Sequence, residues 1–238
     1  MIKKFAAIGL VLGLISGENA IADTIIAPNN FYTGNGMPFG NIGDIDYQQI
    51  YSSALFTETM NITGISFFIA SYSGAKDGFS SGNYVIGLST TSAAVGALDP
   101  MNMSSNLGVD YQTFFSGSLN GGYSISGAPF LYNPSQGNLL LSVHAENRGT
   151  DFYSGNYEGL FWRADNLTGT SRAYYQPLLT QYNGSPYGSD PVGLVTKFEF
   201  SPAAVPTPAT IALLGLGLAG LGVARRKQVM PGTPGELA

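Results

Sequence analysis

An apolar run near the carboxyl terminus places the strongest constraint on how this chain can fold. The 16 residues 209–224 carry no charge, and the cations Arg225, Arg226 and Lys227 follow them directly. As a helix this run spans about 24 Å, slightly less than the roughly 30 Å hydrocarbon core of a bilayer. A run that is apolar on every side and ends at three cations is typical of a membrane stop rather than of a packed core helix. We therefore predict a single transmembrane helix with its basic cluster over 209–227, followed by a tail to residue 238.

The amino terminus has the three parts of a secretory signal peptide. Two lysines precede an apolar stretch over 5–15, and Ala20 and Ala22 then form an Ala-x-Ala cleavage site ahead of Asp23. We predict a signal peptide over 1–22 and a mature chain that starts at Asp23. The apolar stretch is too short to span a bilayer comfortably, which favours cleavage over an uncleaved anchor.

The body between these two ends is acidic and contains no cysteine. Residues 23–204 hold 13 Asp and Glu against 5 Lys and Arg, which leaves a net charge of −8 with His neutral. We expect no nucleic-acid partner, because phosphate binding relies on Lys and Arg. Disulfides and thiol chemistry are excluded, so stability has to come from core burial, with or without a bound metal.

Short β-like runs separated by Gly, Ser and Asn dominate the body. Residues 23–46 are predicted to be irregular, because Pro, Gly and Asn punctuate them densely. Eight later runs rich in Ile, Val, Phe, Tyr and Thr are predicted strands: 49–56, 62–70, 84–89, 113–116, 139–145, 159–163, 172–175 and 194–200. We predict an all-β fold over 23–201, an antiparallel two-sheet β-sandwich that is jelly-roll-like, with an up-and-down barrel as the alternative. The proline-rich segment 202–208 is predicted to be a linker that carries the sorting motif described below.

His144 is the sole histidine of the chain. Asp110 or Asp151 could orient it in a Ser-His-Asp triad, but the sequence offers no G-x-S-x-G nucleophile elbow. The segment 78–82 reads GFSSG and only imitates one, because no strand runs through it into a helix. The alternation around it places Leu139, Leu141, Val143 and Ala145 on one strand face and His144 on the other. We expect a solvent-facing strand residue rather than a catalytic one.

Carboxylates offer two further kinds of site. Glycoside hydrolysis needs two carboxylates about 5–10 Å apart, and no spacing in the sequence selects a pair. Among the acidic residues of the body, Asp44 and Asp46 stand two apart in a glycine-rich segment, where backbone carbonyls could complete a Ca²⁺ site. The alternative is two solvated loop carboxylates, and no other cofactor is predicted.

Aromatic residues are abundant, and some of them suit contact with sugars. Sugar rings stack on exposed Tyr and Trp faces. Trp162 lies in a predicted strand and is expected in the core or at its edge, whereas Tyr182 and Tyr187 lie in a Gly- and Ser-rich loop and are expected to be exposed. We therefore consider contact with carbohydrate.

The carboxyl-terminal segment resembles the PEP-CTERM protein-sorting signal. The motif Val205-Pro206-Thr207-Pro208 precedes the apolar run, and the basic cluster closes it. The sequence departs from the family pattern in two ways: Thr207 stands where the family usually has Glu, and residues 228–238 continue where most members end.

The resemblance implies recognition and cleavage near the proline motif by an exosortase, an integral-membrane protease of Gram-negative bacteria that make exopolysaccharide. It implies a protein anchored in the inner membrane before processing and then located at the cell surface or outside the cell. We expect an exported, non-enzymatic surface or matrix protein, with exosortase, membrane and exopolysaccharide as partners. The alternatives are a surface hydrolase or lyase that acts on glycans, and a single-pass membrane protein whose tail is never cut.

Overall fold

The computed structural model describes residues 23–29, 32–40, 42–69, 82–119, 122, 124–149, 161–165 and 168–202, most of them in β-strands. The strands are β1 (Asp23–Ala27), β2 (Tyr32–Asn35), β3 (Ile45–Tyr51), β4 (Met60–Phe67), β5 (Asn83–Thr91), β6 (Gln112–Gly117), β7 (Ser124–Tyr132), β8 (Asn138–Glu146), β9 (Phe161–Asp165), β10 (Thr170–Tyr175), β11 (Tyr187–Asp190), β12 (Val192–Leu194) and β13 (Thr196–Pro202). Helix α1 (Leu179–Asn183) and three 3₁₀ turns, Ser53–Leu55, Met103–Asn106 and Pro134–Gln136, complete the described elements.

Antiparallel pairing joins the strands into two larger sheets and one small sheet. The four-stranded sheet has the order β1-β13-β4-β7, and the six-stranded sheet has the order β11-β10-β3-β8-β5-β6. Strands β12, β9 and β2 form the small sheet. The predicted all-β fold with two antiparallel sheets is confirmed.

The two larger sheets enclose one shared hydrophobic core. Ile62, Ile65 and Phe198 contribute to it from the four-stranded sheet, and Leu141 and Val143 from the six-stranded sheet, all at most 1% exposed. The rings of Tyr51 and Phe198 meet edge to face across the two sheets with centroids 5.1 Å apart. Such aromatic contacts stabilise a core by about 0.5–1.5 kcal/mol beyond area burial.

A second, smaller cluster covers the outer face of the six-stranded sheet. Ile50, Leu140 and Ala173 lie on that face and pack with Leu98 from the connection between β5 and β6. The alternation predicted for β8 is therefore confirmed, and Leu140 is buried on its own face because this connection folds over it.

All eight predicted strands correspond to observed strands, but the irregular segment predicted over 23–46 is wrong. It contains β1, β2 and the start of β3, which begins at Ile45 rather than at residue 49. Tertiary pairing overrides the local Gly and Pro signals here, because β1 pairs along its whole length with β13. Strands β7, β11 and β12 were not predicted.

The first and last described strands lie side by side. Asp23 pairs with Phe200 and Ala27 with Thr196, so β1 starts where β13 is about to end. Strand β13 has β1 on one side and β4 on the other, which makes it an interior strand of its sheet. The chain divides into two units, 1–203 and 204–238, and the second lies outside the described residues.

Candidate functional site

A row of side chains crosses the outer face of the six-stranded sheet. The strand registers place Tyr187 of β11 opposite Tyr175 of β10, Tyr175 opposite Asp46 of β3, and Asp46 opposite His144 of β8. Opposed residues of antiparallel strands point to the same face, so these four side chains form one continuous line. Two tyrosines thus lie next to an acid and an imidazole.

Asp46 and His144 form a hydrogen-bonded pair. His144 Nδ1 lies 2.6 Å from Asp46 Oδ1, and the two side chains are 54% and 45% exposed. An exposed pair of this kind stabilises a fold by at most about 1 kcal/mol, but it does hold the imidazole in one orientation. The partner differs from both predicted candidates: Asp110 accepts a hydrogen bond from the backbone N–H of Thr90, and Asp151 lies outside the described residues.

The connection between β5 and β6 forms a wall above this row. Gln48 of β3 donates from Nε2 to the carbonyl of Met103 at 2.9 Å, and Asn106 Nδ2 donates to Gln48 Oε1 at 2.7 Å. Asn106 also bonds both the N–H and the C=O of Asp99 at 3.0 Å. Gln48 and Asn106 are 2% and 4% exposed, so the wall is fixed to the floor by bonds shielded from water.

Floor and wall border an open cleft of about 380 Å³, which we call the outer cleft. Its lining includes Asp46, Gln48, Met101, Met103, Tyr175 and Tyr187. A volume of this size falls within the range of sites for small ligands, and the lining combines apolar, aromatic and polar groups. Among the described residues that line it, Asp46 supplies the one carboxylate.

The tyrosines of the outer cleft are in contact with each other. The ring centroids of Tyr175 and Tyr187 are 5.0 Å apart at an interplanar angle of 43°. Tyr187 is 40% exposed and Tyr182, on α1, is 58% exposed, which confirms the predicted exposure of both. Tyr182 does not line the outer cleft. The side chain of Trp162 lies outside what the structure describes.

A buried polar network fixes β3 from its other face. Gln49, fully buried, accepts from the Tyr47 hydroxyl at 2.6 Å and from the Leu194 N–H at 2.7 Å. Its Nε2 donates to the Leu194 carbonyl at 2.8 Å and to Thr170 Oγ1 at 3.1 Å. A Cβ at Gly193 would lie 2.6 Å from Gln49 Cδ, so the close approach of β12 to β3 requires glycine there.

Three tyrosines of the core, the buried tyrosines, have raised hydroxyl pKa values: Tyr47, Tyr51 and Tyr132. Burial is the main cause in each, because the phenolate loses its hydration. For Tyr47 the nearby Arg172 guanidinium acts in the opposite direction and lowers the pKa, but burial dominates. That guanidinium donates to Asn35 Oδ1 at 2.7 Å and to Asp190 Oδ2 at 2.7 Å.

The two carboxylates of the predicted calcium site have protein partners. Asp44 Oδ1 accepts from the backbone N–H of Arg148 at 3.1 Å, while Asp46 bonds His144. Gly43, at a φ of +83°, turns the chain before Asp44. Within the described ranges no group of three or more His, Cys, Asp or Glu residues could hold a metal ion. Calcium binding at Asp44 and Asp46 stays a prediction.

Arg148 holds the loop that precedes this site. Its guanidinium donates to the carbonyls of Pro38 and Gly40 and lies over the Tyr84 ring, 5.4 Å from the centroid. Burial lowers the pKa of this guanidinium, with Tyr84 and Asp44 opposing. The contacts account for the close packing of residues 36–40 in the body.

The predicted processing residues lie outside the described part of the chain, apart from Asp23. The signal-cleavage residues Ala20 and Ala22 precede it, and the sorting motif 205–208 and the basic cluster 225–227 follow it. Asp23 is the first residue of β1. The predicted transmembrane helix falls in the same undescribed tail, and the described residues contain no helix that meets the length and hydropathy needed to cross a membrane.

Comparison with known proteins bears on the tail. The family model described as the PEP-CTERM protein-sorting motif matches residues 204–227. No curated protein and no solved structure matches the chain. The matched residues include the proline motif, the apolar run and the basic cluster.

Proposed function

We propose that this chain, whose residues 204–227 match the PEP-CTERM protein-sorting motif, is exported and sorted by an exosortase, and that it is a non-enzymatic component of the cell surface or extracellular matrix associated with exopolysaccharide. The observation that carries the proposal is the match of the sorting motif over residues 204–227. The motif determines a route out of the cell, and the β-sheet body is the part that remains after processing.

The three parts of the tail have separate roles in this proposal. The apolar run 209–224 spans the inner membrane as a helix, and the basic cluster 225–227 stays on the cytoplasmic side. The sequence favours an extended segment around Thr207, because Pro206 and Pro208 restrict their own φ and disfavour helix in the preceding residue. An extended segment just outside the membrane is accessible to an integral-membrane protease.

A binding or structural role for the body is supported by its outer cleft. The cleft presents one carboxylate, Asp46, which bonds His144, whereas glycoside hydrolysis employs two carboxylates about 5–10 Å apart. Its walls instead present aromatic and thioether surface, which suits contact with a ligand. The glycan-active hydrolase is therefore the less favoured reading.

The strand order of the body supports a jelly roll. If β2 and β9–β12 are set aside, the two sheets have the orders β1-β13-β4-β7 and β3-β8-β5-β6. The first of the eight remaining strands, β1, then pairs with the last, β13, and the second, β3, pairs with the next to last, β8. This nesting of chain ends within two packed sheets is how a jelly roll is wound from Greek keys. Strands β9–β12 then form an insertion before the final strand.

The test is the mature carboxyl terminus, measured by mass spectrometry on protein from the producing bacterium and from the same strain without its exosortase. We expect a terminus near residues 205–208 in the first strain and an intact tail, in the membrane fraction, in the second. Thr207→Glu restores the usual family residue and should raise the processed fraction.

Pro206→Ala with Pro208→Ala should lower the processed fraction, whereas Pro202→Ala, a proline at the end of β13, is the matched control and should leave it unchanged. An intact carboxyl terminus at residue 238 in both strains would refute processing and favour the uncleaved single-pass protein. Depolymerisation of a glycan by the purified protein, lost in Asp46→Asn, would refute the non-enzymatic role.

A further inference from the structure

We propose that the outer cleft binds a neutral polysaccharide, with one sugar ring stacked on Tyr187 and its hydroxyls bonded by Asp46. The inference deepens the proposed function and rests on it in one respect, namely that the protein reaches a place where polysaccharides lie. Everything else in it comes from the floor and wall of the cleft.

The aromatic end of the cleft provides a platform of suitable size. Tyr175 and Tyr187 are neighbours on adjacent strands, and their rings support each other at a centroid distance of 5.0 Å. Tyr187 remains 40% exposed, although its ring packs against that of its neighbour. The C–H face of a pyranose is apolar and flat, so it can cover such a ring and remove its surface from water.

The polar end of the cleft supplies directional contacts at the right place. Asp46 lies directly across from Tyr175 in the register, about one strand spacing away, or roughly 5 Å. His144 occupies Asp46 Oδ1, which leaves Oδ2 to accept hydrogen bonds from ligand hydroxyls. A charged acceptor makes stronger hydrogen bonds than a neutral one, and the bond to His144 keeps the carboxylate in position.

The cleft is built before any ligand arrives. Gln48 and Asn106 hold the wall at Met103 through hydrogen bonds that are almost completely buried. Preorganisation of this kind lowers the entropic cost of binding. Met101 and Met103 add adaptable apolar surface to the lining of the same cleft, which suits a polymer whose rings repeat with small differences in tilt.

The charge of the site selects among polysaccharides. The body carries a net charge of −8 over residues 23–204, and Asp46 adds its negative charge inside the cleft. No Lys or Arg is among the described residues that line it. A polyuronate would therefore meet repulsion at the point where its carboxylates have to enter. A neutral polymer pays no such penalty.

The experiment is affinity electrophoresis of the full chain in mild detergent, in gels that contain one polymer each. The neutral probes are hydroxyethylcellulose, laminarin, dextran and galactomannan, and the anionic probe is polygalacturonate. We expect at least one neutral polymer to slow migration and polygalacturonate to have no effect.

Variants of Tyr187 and Tyr182 test the placement of the site. Tyr187→Ala should raise the dissociation constant for the bound polymer about tenfold or more, whereas Tyr187→Phe, which keeps the ring, should stay within about threefold. Tyr182→Ala removes a more exposed tyrosine that does not line the cleft and should change nothing. Unchanged melting temperatures of the variants establish that they remain folded.

Retardation by none of the neutral polymers, preference for polygalacturonate, or equal binding by Tyr187→Ala and the wild type would each overturn the inference. A loss of binding in Tyr187→Phe equal to that in the alanine variant would overturn the stacking role. The result is independent of tail processing: a protein that is sorted and cleaved but binds no polymer contradicts this inference alone.

Discussion

Substitution of Gln49 by leucine tests whether the buried network holds β3, the strand that carries Asp46, in place. Leucine nearly matches glutamine in size but bonds nothing, so the Tyr47 hydroxyl and the Leu194 N–H lose their common acceptor. The Leu194 carbonyl retains a donor in Thr196 Oγ1 at 3.2 Å. Thr170 Oγ1 still donates to the carbonyl of Ile50 at 2.8 Å.

Two buried donors are thus left without their acceptor, at about 1–3 kcal/mol each. We expect Gln49→Leu to lower the free energy of unfolding by about 2–6 kcal/mol, the sum for the two donors. For a body of this size the melting temperature should fall by about 4–24 °C. The assay is urea and thermal unfolding of the full chain in mild detergent, followed by circular dichroism.

A double-mutant cycle with Tyr47→Phe separates the network from simple packing. Tyr47→Phe alone removes one hydrogen bond and should cost about 1 kcal/mol, because Gln49 keeps its bonds to Leu194. In the Gln49→Leu background, Tyr47→Phe removes a hydroxyl that has already lost its acceptor. The double variant should therefore lose about 1–2 kcal/mol less unfolding free energy than the two single variants lose in total. A cost below about 1 kcal/mol for Gln49→Leu, or strict additivity, would refute the reasoning.

Four further predictions concern stability. The buried tyrosines have higher pKa values in the folded protein than in the unfolded chain. The stability they contribute is therefore complete below about pH 10 and is lost as the pH rises toward their folded pKa values, by up to about 1.4 kcal/mol per pH unit for each tyrosine. Urea unfolding at pH values from 8 to 11.5 should show this loss, and an unfolding free energy that does not change with pH would contradict it. Asp190→Asn should cost about 1–2 kcal/mol in urea unfolding, since the 8%-exposed Arg172 loses its charged partner, and Asp110→Asn is the exposed-loop control. Gly193→Ala should destabilise by about 1–3 kcal/mol, as its Cβ would overlap the buried glutamine, and a neutral effect would show that β12 can shift. If Asp44 holds calcium, millimolar Ca²⁺ should raise the melting temperature of the wild type and leave that of Asp44→Asn unchanged. Equal melting curves of the wild type with Ca²⁺ and with a chelator would contradict the calcium site.

The strands that can be predicted from sequence are those whose own composition favours extended structure. Strand β8 alternates apolar and polar residues except at Leu140, and the predicted range 139–145 is one residue short of it at each end. Strand β7 escaped prediction because Gly127 and Pro129 interrupt it. It lies at the edge of the four-stranded sheet, where a missing backbone donor is tolerated.

The candidate site could be predicted only in part, because strand register assembles it. The exposure of Tyr187 follows from its Gly- and Ser-rich surroundings. The pairing of Asp46 with His144, 98 residues later, depends on the alignment of β3 with β8, which no local pattern specifies. The burial of Gln48 could not be predicted from the sequence either, because it depends on the connection between β5 and β6, which folds over the sheet.

The interior position of β13 has a mechanical consequence. In the membrane-anchored state proposed above, any drag on the body is transmitted through this strand, which ends at Pro202 just before the tail begins. Tension along a strand with neighbours on both sides, here β1 and β4, loads both ladders of hydrogen bonds in parallel. A tether on an edge strand could instead be peeled away one bond at a time. The body is therefore attached at a place where pulling is least able to unravel it.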